Sequence, residues 1–417
     1  MIQFKTFTLD NGLRLIHHHN AVTSMVAVNL LYDVGSSDED PNKTGLAHLM
    51  EHLMFSKTKH VDKYDDVINR IGGTSNAWTS IDVTNYYEEL PAINLETALW
   101  LESERLLNLV LDEEHIAIQK SVVIEEFKQR YLNQPYGNIL HLMHGLAYQN
   151  HPYLWPTIGK DIDTIALFTK EDVIDFHRRH YSVNNAVLCV SGNVGFDETV
   201  EMVQKWFGDI DGHKKYQRDL PKEPNQTSPR FLSHHSDVPN NMIFRAYHMC
   251  ERSNADYQAA DLLSDILGNG TSSRFHKELI LNNNLFADVS ASILGSRDPG
   301  LFYVRAKLAP DADFDKANAA IDTVLNKLLN DGVTGHEIEK CVNKYLSNKL
   351  FDSVGYADKA SMLCAHELLW GANGINTENN KYRALKPSDI ERVAAQILTT
   401  NNCSTIFYGP NAKHTCI

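Results

Sequence analysis

DGHKKYQRDLPKEPNQTSPR, residues 211–230, is the passage that most restricts how this chain can fold. Pro221, Pro224 and Pro229 each remove a backbone donor and fix a φ angle, and few side chains around them are apolar. Neither a core helix nor a central strand can run through such a stretch, so any hydrophobic core must be built on either side of it. The 417 residues also exceed what one core usually supports, which favours two domains of about 200 residues each. The expected division is a first domain over 1–210, a linker over 211–230 and a second domain over 231–417.

The two halves echo one another. TSMVAVNLLYDVGS (23–36) has its counterpart in NNMIFRAYHMC (240–250), both reading as strands. GLAHLMEHLMF (45–55) has its counterpart in YQAADLLSDILGN (257–269), both reading as the helix that follows. Self-similarity at half length implies a duplicated fold, and periodicity alone gives mixed α and β structure in each copy.

Within the first copy the helix carries two stripes. Leu46, Leu49, Met50, Leu53 and Met54 repeat at helical spacing and form an apolar face that packs inward. His48, Glu51, His52 and Phe55 repeat the same spacing beside it, which sets two imidazoles one turn apart with a carboxylate adjacent. The second copy has no histidine in this helix, so building the helix does not require them. Two neutral nitrogen donors suit zinc, and a catalytic zinc site takes a third protein ligand and leaves one position open for water. The segment HIAIQKSVVIEEFKQRYLNQPYGN (115–138) offers Glu125 and Glu126 within a helical pattern of Ile116, Ile118, Val122, Val123 and Phe127. A shift of one residue turns a helical side chain by about 100°, so only one of the pair can face the ion.

The formal charge of −14 argues against nucleic-acid binding, which needs clustered Lys and Arg. No apolar run approaches the roughly 20 residues of a spanning helix, and MIQFKTFTLDNGLRLI reads as a strand and hairpin rather than a signal peptide. The six cysteines are scattered without a CxxC pair, as expected of reduced thiols in a cytoplasmic protein. Other histidines offer less. His17, His18 and His19 alternate across a strand and read as solvated or hairpin residues. His366 and Glu367 open like HExxH, but Trp370 stands where the second ligand belongs, so they read as ordinary helix. GNGTSSR (268–274) lacks the Lys and spacing of a phosphate loop and reads as a helix end and turn.

HLMEH, with VVIEE further along, resembles the inverted zinc motif of the pitrilysin and mitochondrial processing peptidase family, the inverzincin metallopeptidases. NGLRLI, TGLAHLMEHLMF, INRIGGTSNAWTSIDVTNYY, NQPYGN and GNGTSSRFHKEL resemble that family in the same order over most of the chain. The resemblance implies an α+β fold of two similar domains, each an antiparallel-rich sheet with helices packed on it. It implies one zinc ion per chain held by His48, His52 and Glu126, with Glu51 as general base, and hydrolysis of peptides or unfolded segments. It also sets Asn76, Ala77 and Trp78 against a peptide substrate, on a strand whose edge can bind a chain by backbone pairing, the alternative being a buried hairpin. The sequence departs from the family twice. Gln119 stands where relatives often carry a second acidic residue, and Ile280 and Ala287 stand where active single-chain or homodimeric relatives carry an Arg and a Tyr that contact the substrate near the zinc. The second departure implies a heterodimer in which a related subunit supplies that pair, the alternative being a homodimer or monomer using other donors. A non-catalytic scaffold subunit and a small-molecule metallohydrolase are the rival functions.

Overall fold

The computed structural model describes residues 1–212, 216–310 and 312–412. Cys416 and residues 213–215 of the expected linker therefore lie outside the described residues. The chain divides into two compact units that exchange segments: the first comprises 1–129, 155–220 and 349–377, the second 130–154, 221–348 and 378–417. A simple halving at 211–230 is thus crossed twice. Residues 130–154 join the unit built from the later half, and 349–377 join the unit built from the earlier half.

The first unit holds a six-stranded sheet of β1 (Lys5–Thr8), β2 (Arg14–His19), β3 (Met25–Tyr32), β4 (Thr74–Thr79), β5 (Thr84–Pro91) and β6 (Ala186–Gly192), in the order β1-β2-β6-β3-β5-β4. β3, MVAVNLLY, is a nearly unbroken run of apolar residues and is buried from Val26 onward. Such a run suits a strand covered on both faces. The helix Leu95–Leu107 packs on β3, and so does the helix Tyr356–Leu369, brought by the exchanged segment. The latter sets Ala360, Leu363 and Cys364 against Ile16, Ala27, Leu31, Val187 and Cys189.

The second unit holds β7 (Arg230–His235), β8 (Met242–His248), β9 (Phe286–Leu294), β10 (Leu301–Leu308) and β11 (Cys403–Gly409), in the order β7-β11-β8-β10-β9. The β2–β6 pair is parallel and the remaining pairs toward β4 are antiparallel; β7–β11 is likewise parallel and the pairs toward β9 antiparallel. The second sheet therefore repeats the first without its β1 strand. The exchanged helix Ile139–Ala147 packs on β7, β8 and β11. The α+β fold of two similar parts follows from this repetition. The expected strand 240–250 is β8, and the expected helix 257–269 runs from Tyr257 to Gly268.

Candidate metal centre and active site

The helix Leu46–Leu53 forms because its apolar stripe has a core to enter. Leu46, Leu49, Met50, Leu53 and Met54 are all buried, while His48, Glu51, His52 and Phe55 are only half-buried. Its first turn needs acceptors for exposed N–H groups. Glu39 supplies them, with Oε2 accepting from the Gly45 amide at 2.9 Å and Oε1 from the Ala47 amide at 2.8 Å. Gly45 itself sits at φ 103°, a left-handed conformation that favours glycine. Beyond the helix, the Phe55 ring meets Tyr64 and Tyr86, and the Arg105 guanidinium lies over the same three rings. Arg105 pairs with Glu102 and Glu88, and all three side chains are fully buried. Burial, and then the neighbouring Glu102, push the Glu88 carboxyl well above the usual carboxylate range.

The third donor comes from the helix Glu113–Phe127, whose first turn is capped by Asp112 accepting from the His115 amide. Glu126 Oε2 lies 3.7 Å from His48 Nε2 and 3.4 Å from His52 Nε2. The imidazole rings are 4.8 Å apart and nearly perpendicular. The three ligand atoms all lie within 4.8 Å of one another. Donors about 2.1 Å from a tetrahedral zinc stand roughly 3.4 Å apart, so two imidazoles and a carboxylate at these spacings fit that ion. Glu125 points elsewhere, to solvent, where it pairs with Lys128 at 2.6 Å. Gln119, two turns before Glu126, is half-buried. The apolar pattern around these residues differs from expectation in one respect. Ile116, Val123 and Phe127 are buried, but Ile118 and Val122 are exposed. Ile118 is turned about 200° from Ile116 around the helix, so it cannot share the inward stripe.

β4 is an edge strand of the first sheet. Asn76 and Trp78 point to its exposed side, with Trp78 40% exposed, and Ala77 and Thr79 alternate to the more covered side. The Ala77 amide donates to the Asn76 side chain at 2.8 Å. Thr79 Oγ1 donates to Glu51 Oε2 at 2.5 Å. Sequence reasoning missed this contact, although period-2 alternation from Ala77 puts Thr79 on the same side.

The remaining histidine candidates have structural roles. His17 Nε2 and His19 Nδ1 both approach the Val194 carbonyl, at 3.0 and 2.9 Å, and His18 Nδ1 approaches the Gln3 carbonyl at 2.7 Å. His17 and His18 are buried rather than solvated, because β2 is an inner strand of the sheet. His366 is buried within its helix, and Glu367 accepts from the Ala372 amide at 2.8 Å. GNGTSSR closes the helix Tyr257–Gly268 and continues as a turn. Ile280 is half-buried against the apolar core of the second unit, and Ala287 is exposed on the edge strand β9.

Two repeated sheets, and a helix that carries histidine, glutamate and histidine toward a carboxylate from a second helix, define a class: a duplicated α+β chain of the inverted zinc-motif kind. The chain belongs to peptidase family M16, the pitrilysin family. Residues 14–161 match the model described as Insulinase (Peptidase family M16), and residues 167–345 match Peptidase M16 inactive domain. The chain is 29% identical to the zinc protease PqqE of Helicobacter pylori over 97% of its own length and 93% of that protein. It is 25% identical to the uncharacterized zinc protease YmxG of Bacillus subtilis over 95% and 96%. A crystal structure of a protease from Helicobacter pylori superposes with a TM-score of 0.92 at 29% identity, covering 98% of this chain and 100% of that one. Pitrilysin superposes with a TM-score of 0.82 at 18% identity over 100% of this chain and 46% of its own, a likeness of fold.

Proposed function

We propose that the protein is a zinc-dependent endopeptidase acting on peptides or unfolded segments, completed by a related second subunit. The convergence of His48, His52 and Glu126 beside Glu51 carries this reading. His48, His52 and Glu126 hold the ion. Zinc bound there supplies Lewis acidity, which acidifies water and polarises a carbonyl group. Glu51, kept in place by Thr79, takes a proton from the attacking water and hands it to the leaving amine. The substrate backbone pairs along the free edge of β4, where Asn76, Ala77 and Trp78 meet it. For its amide to donate to substrate, Ala77 must first release the Asn76 side chain.

The naming of relatives as zinc proteases supports the metal and the reaction class. The scaffold reading draws on the description of the second half as an inactive domain; against it stands the complete set of donors in the first unit. Five cysteines among the described residues are free thiols, which supports a reducing compartment such as the cytoplasm. Metal analysis together with a quenched-peptide assay, on the chain alone and with its co-purified partner, tests the reading. One zinc per chain and zinc-dependent cleavage are expected. Metal-independent or absent cleavage by the assembled form sinks it.

A further inference from the structure

Arg218 belongs to the proline-rich passage, yet its side chain is only 11% exposed and buried in the first unit. Nε donates to Asp38 Oδ1 at 2.7 Å, and Nη2 donates to Asp38 Oδ2 at 2.5 Å and to the Asp82 carbonyl at 2.9 Å. The carboxylates of Asp33 and Asp82 stand 3.6 and 3.9 Å from Nη1. Burial works against both charges of the pair. It raises the Asp38 carboxyl above its ordinary range despite the arginine. At Arg218 the hydrogen bonds and charge of Asp38 outweigh burial, so the guanidinium holds its proton more firmly than usual.

Asp38 and Asp82 lie on two loops that run backbone against backbone. The Ser36 amide donates to the Ser80 carbonyl at 3.2 Å and the Ser37 amide to the Ile81 carbonyl at 2.8 Å. A Cβ on Gly35 would come within 2.4 Å of the Ile81 oxygen, so this approach is one that only glycine permits. The first loop runs directly into Glu39, which caps the helix of His48 and His52. The second continues from Thr79, which holds Glu51. Arg218 fastens the two loops together from a distant part of the sequence.

We propose that Arg218 is a positioning residue for the metal centre: its fork clamps the 35–38 loop to the 80–82 loop, and so fixes the histidine helix and the Glu51 contact in one frame. The geometric claim stands on its own; its effect on turnover rests on the peptidase reading above. Three zinc-loaded variants test it. Arg218→Met removes the clamp but strands the Asp38 carboxylate, so Arg218→Met with Asp38→Asn also removes that charge while an amide oxygen still accepts from the Gly35 amide, and the unfolding midpoint of each variant separates positioning from stability. Arg218→Lys keeps the charge and loses the fork.

In the double variant, amides of 36–38, 45–47 and 79–82 are expected to exchange with deuterium about tenfold faster or more, while those of β3 and the helix Tyr356–Leu369 stay as they are. In the assembly that cleaves a quenched peptide, kcat is expected to fall about tenfold or more with KM within about twofold, and Arg218→Lys to fall between variant and parent. Unchanged exchange in the three segments overturns the proposal, as does a loss of kcat that merely tracks the unfolding midpoint across the variants. A parent protein whose cleavage does not depend on Glu51 refutes the peptidase reading instead, and the exchange result still decides the role of Arg218.

Discussion

Glu125 and Glu126 are adjacent in sequence, and the fold gives them opposite fates: one pairs with Lys128 in solvent, the other approaches both imidazoles within 3.7 Å. That difference makes a discriminating pair of variants. Glu126→Ala is expected to lose tight zinc binding, because two ligands cannot enclose the ion, whereas Glu125→Ala is expected to keep it. Metal analysis after dialysis reads both, and the reverse pattern would place the ligand one residue earlier. Glu51→Gln is expected to keep zinc and to lower kcat about 100-fold or more, since a general base contributes on that order. Thr79 is the finer test. Its hydroxyl donates to the Glu51 carboxylate, so on the peptidase reading Thr79→Val is expected to cost about tenfold in kcat, in line with a hydrogen bond to a charged group. Thr79→Ser, which restores the hydroxyl, should recover most of that loss. A serine variant as slow as the valine one would show that the threonine methyl, not its hydroxyl, matters.

Among the elements, the helix Leu46–Leu53 owes its first turn to a buried acid. Burial pushes the Glu39 carboxyl up to about 8, although the Ala47 and Gly45 amides pull it down. A carboxyl raised above its unfolded value of 4.5 adds a stability term that is complete below that value and is lost as the pH rises through about 8. Urea unfolding of the metal-free protein between pH 5 and 9 should therefore show the parent's advantage over Glu39→Gln narrowing as the pH rises; a constant difference would contradict it. The two stripes of this helix were legible in sequence because both repeat at 3.6 residues, and one of them is apolar enough to demand a core. The register of Glu126 was legible only through family resemblance, since the surrounding apolar residues lie all round the helix and Ile118 and Val122 are exposed. That β4 lies at a sheet edge is set by strand order, which local periodicity does not encode. Arg218 left no signal at all: a single arginine among prolines looks like solvated linker until distant loops close around it. The exchanged segments were hidden for the same reason, because a helix such as Tyr356–Leu369 carries an ordinary pattern that does not name the sheet it will cover.

At the scale of the whole molecule, the two copies of the fold have diverged in chemistry. The first carries the two imidazoles and the carboxylate of His48, His52 and Glu126, and among the described residues no second group of three such donors accompanies them. In the second, the helix Tyr257–Gly268 keeps the architecture without histidine, and the positions that resemblance assigns to an Arg and a Tyr hold Ile280 and Ala287. Ile280 is packed partly into apolar core, where a guanidinium would have to be desolvated, and Ala287 is exposed on an edge strand with no side-chain donor. Neither residue can stabilise negative charge developing on a substrate oxygen. Losing one such donor typically costs about 100-fold or more in rate. A related subunit carrying the missing Arg and Tyr is expected to make it up. The chain alone is then expected to bind zinc and cleave peptide slowly, and to gain about 100-fold in kcat when its co-purified partner is added back. Full activity from the isolated chain at concentrations too low for self-association would remove the need for a second subunit and point to donors elsewhere in its own second half.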